Sequence, residues 1–236
     1  MSNQMKRLTA PRTWPLKRKA SVWVTKQSPG PHSLENSMPA TLVVRDLLKL
    51  CDTAKEVKRI IGNRDLLVDG KAVRDGKFPI GLMDVVSIPK LGVHYRMLLT
   101  NKGRFTLEPI TAEASAWKLC RLENKTVIKN GKFQLNLHDG RNITLNENKY
   151  HTGDVLKLAV PSQDILEVYP LNDEAVAMVI SGNHAGDTAI VSEYKPTRQA
   201  RANIVTFKDG RETVKDNVFV IGTGTPAIRL PEGSAL

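Results

Sequence analysis

The chain has 236 residues, 41% of them hydrophobic, and 35 Lys and Arg against 24 Asp and Glu give it a net charge of +11. That length holds one large domain or two to three small ones with their own cores, and the charge points to a polyanionic partner, nucleic acid or anionic membrane. Two distant cysteines, Cys51 and Cys120, argue against a disulfide framework or zinc finger and for a reducing cytoplasm; with no apolar run of roughly 18 to 20 residues and no leader-like h-region, the chain is expected to be soluble and unexported.

The charge is concentrated at the front: residues 1 to 34 carry seven Lys or Arg and no acid, whereas residues 171 to 236 carry seven basic and eight acidic side chains. Residues 1 to 37 are proline-rich and lack periodicity, so they are not expected to form a core alone. They nevertheless contain Trp14 and Trp23, two of the three tryptophans. Basic residues with interleaved aromatics suit a segment that orders on RNA, the cations neutralising phosphates and the indoles stacking on bases or covering the protein body. The plain alternative is a tail whose tryptophans pack on their own domain.

From Met38 the apolar spacing of Leu42, Val43, Val44, Leu47, Leu48 and Cys51 predicts a first helix starting near Pro39. Thr53 and Glu56 then form a capping box that starts a second helix at about Ala54. Val57, Ile60 and Ile61 supply its apolar stripe, which leaves Lys55, Lys58 and Arg59 on a face toward solvent or a partner. Leu66 to Val68, Asp69-Gly70 and Lys71 to Val73 read as a type I′ hairpin, and Val85 to Ile88 as a closing strand. Arg64, Lys71, Arg74 and Lys77 add charge on the loops. Exposed cations on one helix are ordinarily only its wet side; several clusters on one module point to a polyanion.

Residues 91 to 170 read as short strands joined by Asn101-Lys102-Gly103, Asn130-Gly131, Asp139-Gly140 and Pro161-Ser162-Gln163, the pattern of a β-barrel or sandwich, with one or two helical turns at Ala112 to Leu119. Residues 171 to 236 hold about five more strands, with a hairpin across Asp209-Gly210 and an extended tail from Thr223, and suggest a small SH3-like barrel.

Candidate chemistry is sparse. Gly182 to Thr188 is one residue too short for a phosphate loop and has Asp187 in place of its lysine. Gly222-Thr223-Gly224 lacks the third glycine and helix of a dinucleotide fingerprint. The five histidines, His32, His94, His138, His151 and His184, show no ligand spacing. No nucleophile elbow or activated cysteine is evident. No catalytic residue, metal or cofactor is expected.

The stretch from Asp52 to Ile88 resembles the αL RNA-binding motif, the small domain named after the fourth small-subunit ribosomal protein. KRLTAPRTWPLKRK and the PGPH of Pro29 to His32 are similar to the start of a separate family, the archaeal and eukaryotic small-subunit ribosomal protein four-e. RDLLKL at Arg45 to Leu50, VDGK at Val68 to Lys71, GLMDV at Gly81 to Val85 and a KOW-like segment at Val179 to Val191 follow in that family's order. The resemblance covers nearly the whole chain, and the lack of a long basic C-terminal extension fits an archaeal source. One departure lies in the KOW-like loop, where Asn183 and Asp187 replace frequently basic positions and Ala189 a common glycine, which directs the loop toward shape or protein contact.

The resemblance implies an α+β, mostly β fold in four parts: a basic extension (1–37), an αL domain (38–90), a central β-barrel-like domain (91–170), and a KOW, SH3-like barrel with its tail (171–236). It implies a cytoplasmic, non-enzymatic constituent of the small ribosomal subunit, whose partners are small-subunit rRNA and neighbouring ribosomal proteins, without membrane or small-molecule substrate. RNA contacts are expected at Lys6, Arg7, Arg12, Trp14, Lys17, Arg18, Lys19 and Trp23 in the extension. In the αL domain they are expected at Lys55, Lys58, Arg59, Arg64, Lys71 and Arg74. The rivals are an RNA-modifying enzyme, for which residues 91 to 236 lack an Arg-Leu-Asp catalytic loop or glycine-rich βα turn, and a free RNA-binding regulator.

Overall fold

Trp14 explains how a proline-rich basic segment acquires a fixed place. Its indole, 3% exposed, donates to the Ser37 carbonyl at 2.7 Å, so burial of the ring is matched by a partner for its N–H. The computed structural model of the chain describes residues 4–197 and 201–231. It contains two compact units: the first runs to Leu98 and includes Arg104–Lys118, and the second comprises Leu99–Gly103 and the chain from Leu119. Residues 232–236, the end of the expected tail, lie outside the described residues.

In the first unit β1 (Met5–Lys6) pairs antiparallel with β2 (Trp23–Val24). Side chains close the intervening loop: Arg7 Nε donates to the Lys17 carbonyl at 2.6 Å, and Arg18 donates to the carbonyls of Leu8 at 2.9 Å and Pro11 at 3.2 Å. After β3 (Ser37–Pro39), α1 (Ala40–Leu42) passes into a π-helical turn over Val43–Leu47. The helix expected to reach Cys51 is therefore cut short, because Lys49 adopts the left-handed region at φ 52° and turns the chain away.

The next helix, α2 (Ala54–Gly62), begins where the capping box places it: Thr53 Oγ1 accepts from the Glu56 N–H at 3.3 Å, and the Glu56 carboxylate accepts from the Thr53 N–H. Val57 and Ile61 are its buried residues. The hairpin of β4 (Leu67–Val68) and β5 (Lys71–Ala72) turns at Asp69 and Gly70 with φ 49° and 71°, the two positive values that a type I′ turn demands. Then come β6 (Pro79–Gly81), which pairs with β3, and β7 (Val85–Ile88), β8 (Val93–Leu99) and β9 (Phe105–Ile110). The last three complete a five-stranded sheet in the order β5-β4-β7-β8-β9. A single turn, α3 (Ala112–Ser115), stands where one or two were expected, because Trp117 already begins a strand.

That strand, β10 (Trp117–Val127), carries the chain into the second unit. It joins β11 (Phe133–Leu137), β12 (Asn142–Leu145), β13 (Val155–Ala159) and β14 (Ile165–Tyr169) in a sheet of order β12-β11-β10-β13-β14. Cys120, Leu122, Leu135, Leu137, Leu156 and Leu158 form its buried core. On β11 and β12 alternate residues are apolar, the period-2 pattern of a sheet with one face covered.

A second sheet of six strands, in the order β18-β17-β16-β15-β19-β20, contains β15 (Ala175–Val179), β16 (Thr188–Lys195), β17 (Ile204–Phe207), β18 (Glu212–Val214), β19 (Val218–Thr223) and β20 (Thr225–Pro226). The fold is thus mostly β with few helices, as the strand-and-turn pattern predicts.

Candidate nucleic-acid interface

Burial sorts the fourteen expected contact residues. In the extension Lys6, Arg12, Lys17 and Lys19 are exposed, whereas Arg7 is 9% exposed and Arg18 half-buried, both with guanidinium groups held by backbone carbonyls. Trp14 faces inward. Trp23 is 55% exposed and pairs across the strands with Lys6, while the Arg7 N–H donates to the carbonyl of the neighbouring, also exposed Val22. The extension therefore presents lysines and one indole outward on a loop that arginines brace from within.

All six αL-region candidates, Lys55, Lys58, Arg59, Arg64, Lys71 and Arg74, are exposed, and among the described residues none lies in an ion pair with a carboxylate. The second unit differs. There Lys149 pairs with Glu147 at 2.6 Å, Lys157 with Glu167 at 3.1 Å, Lys195 with Glu193 at 3.0 Å, and Arg211 with Asp187 at 2.6 Å. An unpaired surface cation keeps its full field for an external anion, while a paired one is partly neutralised. The structure brings the six αL-region cations to α2 and its adjoining hairpin and leaves them open.

A buried ionic cluster beneath this surface escapes sequence reasoning. Lys118, 0% exposed, donates to Asp69 at 2.8 Å and to Asp84 at 2.7 Å. His32 Nε2 lies 3.0 Å from the other Asp84 oxygen, which also accepts the Gly81 N–H at 2.8 Å. Asp69 Oδ1 in turn accepts the Val85 N–H at 3.0 Å. Burial opposes ionisation of Asp84, but His32 and Lys118 outweigh it and hold the carboxyl well below the usual carboxylate range. Burial and the charge of Asp84 push Asp69 up. Asp69 belongs to the VDGK segment, Asp84 to GLMDV and His32 to PGPH, so two segments carrying the resemblance meet on one internal lysine and the third joins them through Asp84. Motif spacing could not reveal this, because Lys118 lies 34 residues beyond Asp84.

The KOW-like loop is also tied down. Its Asp187 is bound by Arg211 and lies 3.5 Å from His184, and a Cβ on Gly186 (φ 95°) would fall 1.8 Å from the Thr100 carbonyl oxygen. Among the described residues, Cys120, His138 and Asp139 place ligand atoms within 4.8 Å of one another. These atoms are already engaged: Arg141 bridges Asp139 at 3.0 Å, and His138 Nδ1 accepts the Arg121 N–H at 3.1 Å. In that neutral tautomer the other ring nitrogen carries the proton, so neither offers a lone pair to a metal.

Comparison with known proteins identifies the family. The model of Ribosomal family S4e matches residues 91–165, and that of the RS4NT (NUC023) domain matches residues 1–35. A small ribosomal subunit protein eS4 from Methanothermobacter thermautotrophicus is 44% identical over 233 residues, covering 97% of this chain and 96% of the relative. The protein of the same name from Archaeoglobus fulgidus is 44% identical over 221 residues, 92% of each chain. The crystal structure of the 30S ribosomal protein S4e from Thermoplasma acidophilum superposes with a TM-score of 0.70 at 34% identity, covering 80% of this chain and 96% of that one. Similarity of this extent, running from the basic extension through the second unit, means that the chain belongs to the S4e family of ribosomal proteins.

Proposed function

We propose that this chain is a structural constituent of the archaeal small ribosomal subunit, that it binds the subunit's rRNA beside neighbouring ribosomal proteins in the cytoplasm, and that it catalyses no reaction. Relatives matched along nearly their whole length carry that subunit's name, which counts against the RNA-modifying enzyme and the free regulator. The observation that carries the RNA-binding surface is the set of six exposed, unpaired cations on α2 and its hairpin.

In this reading Lys55, Lys58, Arg59, Arg64, Lys71 and Arg74 grip a folded RNA surface. Lys6, Arg12, Lys17 and Lys19 follow phosphates, Trp23 stacks on a base, and Trp14, Arg7 and Arg18 hold the loop that presents them. The finer four-part organisation, with an extension at 1–37, an αL domain at 38–90, a central β-barrel at 91–170 and a KOW barrel at 171–236, belongs to the same proposal. Support for it comes from the two sheets of the second unit, which divide between Tyr169 and Ala175, and from the matches at 1–35 and 91–165; β8 and β9 extend the sheet of the αL part across its proposed end at residue 90.

The double substitution Lys58→Glu/Arg59→Glu tests it. Both side chains are exposed, so α2 should remain folded by circular dichroism while affinity for small-subunit rRNA falls at least tenfold. Unchanged affinity in a filter-binding titration would move the RNA surface elsewhere.

A further inference from the structure

The outer face of β10, β11 and β12 has an unusual composition. Strand register sets Asn124 opposite Asn136 and Asn136 opposite Asn142, and sets Thr126 opposite Gln134 and Gln134 opposite Thr144. Directly opposed residues share a face of a sheet, so six uncharged amides and hydroxyls form two rows three strands wide, about 10 Å across. The opposite face carries Leu135 and Leu137 into the core, with Ile143 and Leu145 packed against it. Asn124, Thr126, Asn142 and Thr144 are exposed. The middle of the platform is pre-oriented: Gln134 Nε2 donates to Asn136 Oδ1 at 2.8 Å, and Asn136 Nδ2 donates to Thr126 Oγ1 at 3.1 Å.

Cations border this neutral face at both ends of its strands. Lys129 and Lys132 are exposed at the β10–β11 turn. At the other end Asn124 also lines a polar cleft of about 340 Å³ that holds Arg201 and Lys215 beside Glu123 and Asp216, with Lys215 donating to Thr152 Oγ1 at 2.9 Å and Glu123 held by Arg121.

We infer that this platform is a second RNA-binding surface, one that reads the minor groove of an RNA duplex through its ribose 2′-hydroxyls, with the flanking cations on the two bordering phosphate strands. The inference rests on the rRNA-binding reading above and adds a site in the second unit. The chemistry selects the occupant. Single-stranded RNA needs aromatic stacking surfaces, and none of the six positions is aromatic. A protein partner needs an apolar centre, and the centre here is amide. A wide, shallow groove lined by 2′-hydroxyls, each both donor and acceptor, matches side chains that donate and accept.

The test uses the full chain and small-subunit rRNA, with 2′-hydroxyl acylation read nucleotide by nucleotide. The platform variant Asn142→Asp/Thr144→Glu alters two exposed positions on the edge strand. It should lose protection on both strands of one helix, and about tenfold in affinity, while keeping the protections that Lys58→Glu/Arg59→Glu removes. A far-UV circular dichroism spectrum and a urea midpoint matching the wild type show that the second unit of the variant is folded. A second variant, Lys129→Glu/Lys132→Glu, should weaken the same helix's protection from its border. Unchanged footprints for both variants would overturn the platform and leave the α2 surface intact. A photo-crosslinker at position 142 that captured only protein in assembled subunits would overturn it too. Absence of any protection by the wild-type chain would overturn the rRNA-binding reading itself.

Discussion

At the scale of single residues, Lys118 holds the first unit together from inside. It is fully buried between two carboxylates, an arrangement whose net contribution is small when complete and whose rupture is severe, because each partner is left as an uncompensated buried charge. Lys118→Ala should therefore cost about 3–5 kcal/mol, read as a lower urea midpoint, and a loss under 1 kcal/mol would show that water already reaches the cluster. The two carboxylates have opposite pH signatures. Asp84, held below its ordinary value, contributes stability at neutrality that is lost as pH falls below about 4. Asp69, pushed above its ordinary value by burial first and by Asp84 second, takes up a proton in the folded state before the unfolded one does, so its effect is to raise stability as pH falls toward about 4. Asp69→Asn should remove that rise while keeping the loss at lower pH. Parallel wild-type and variant curves over pH 3 to 8 would contradict the assignment.

At the scale of elements, local chemistry was legible wherever a short stretch of sequence settles the outcome. Thr53 and Glu56 announce α2, Asp69-Gly70 announces its hairpin, and the turn dipeptides mark most strand ends. Thr53→Ala should destabilise the unit by about 1 kcal/mol through loss of the cap, with the helix frayed at Ala54 to Val57 in amide exchange. Unaltered protection there would mean that tertiary packing alone sets the helix start. The first helix is shorter than its apolar spacing predicts, because a π turn and a left-handed Lys49 leave no trace in that spacing. The extension was legible only as basic and aromatic. What fixes it is a Trp14 hydrogen bond to residue 37 and the His32–Asp84 contact across 52 residues, partnerships that local pattern does not encode. For the same reason residue type alone does not distinguish the buried Arg7 and Trp14 from their exposed neighbours.

At the scale of the whole molecule, the net charge of +11 is less informative than which cations are already paired. The αL-region cations stand open, while Lys149, Lys157, Lys195 and Arg211 of the second unit are matched to carboxylates. Each phosphate contact releases condensed counterions, so six to ten contacts should lower affinity for small-subunit rRNA by roughly 10³ to 10⁵ between 50 and 200 mM salt. The distinction between open and paired cations makes this sharper. Arg64→Ala should reduce the slope of log affinity against log salt by about one, because an open cation gives up its bound phosphate. Lys149→Ala should leave the slope unchanged, because its ammonium already sits 2.6 Å from Glu147. Equal slopes for the two variants would show that the intramolecular ion pairs open on binding, and the RNA footprint would then have to extend over the paired surface as well.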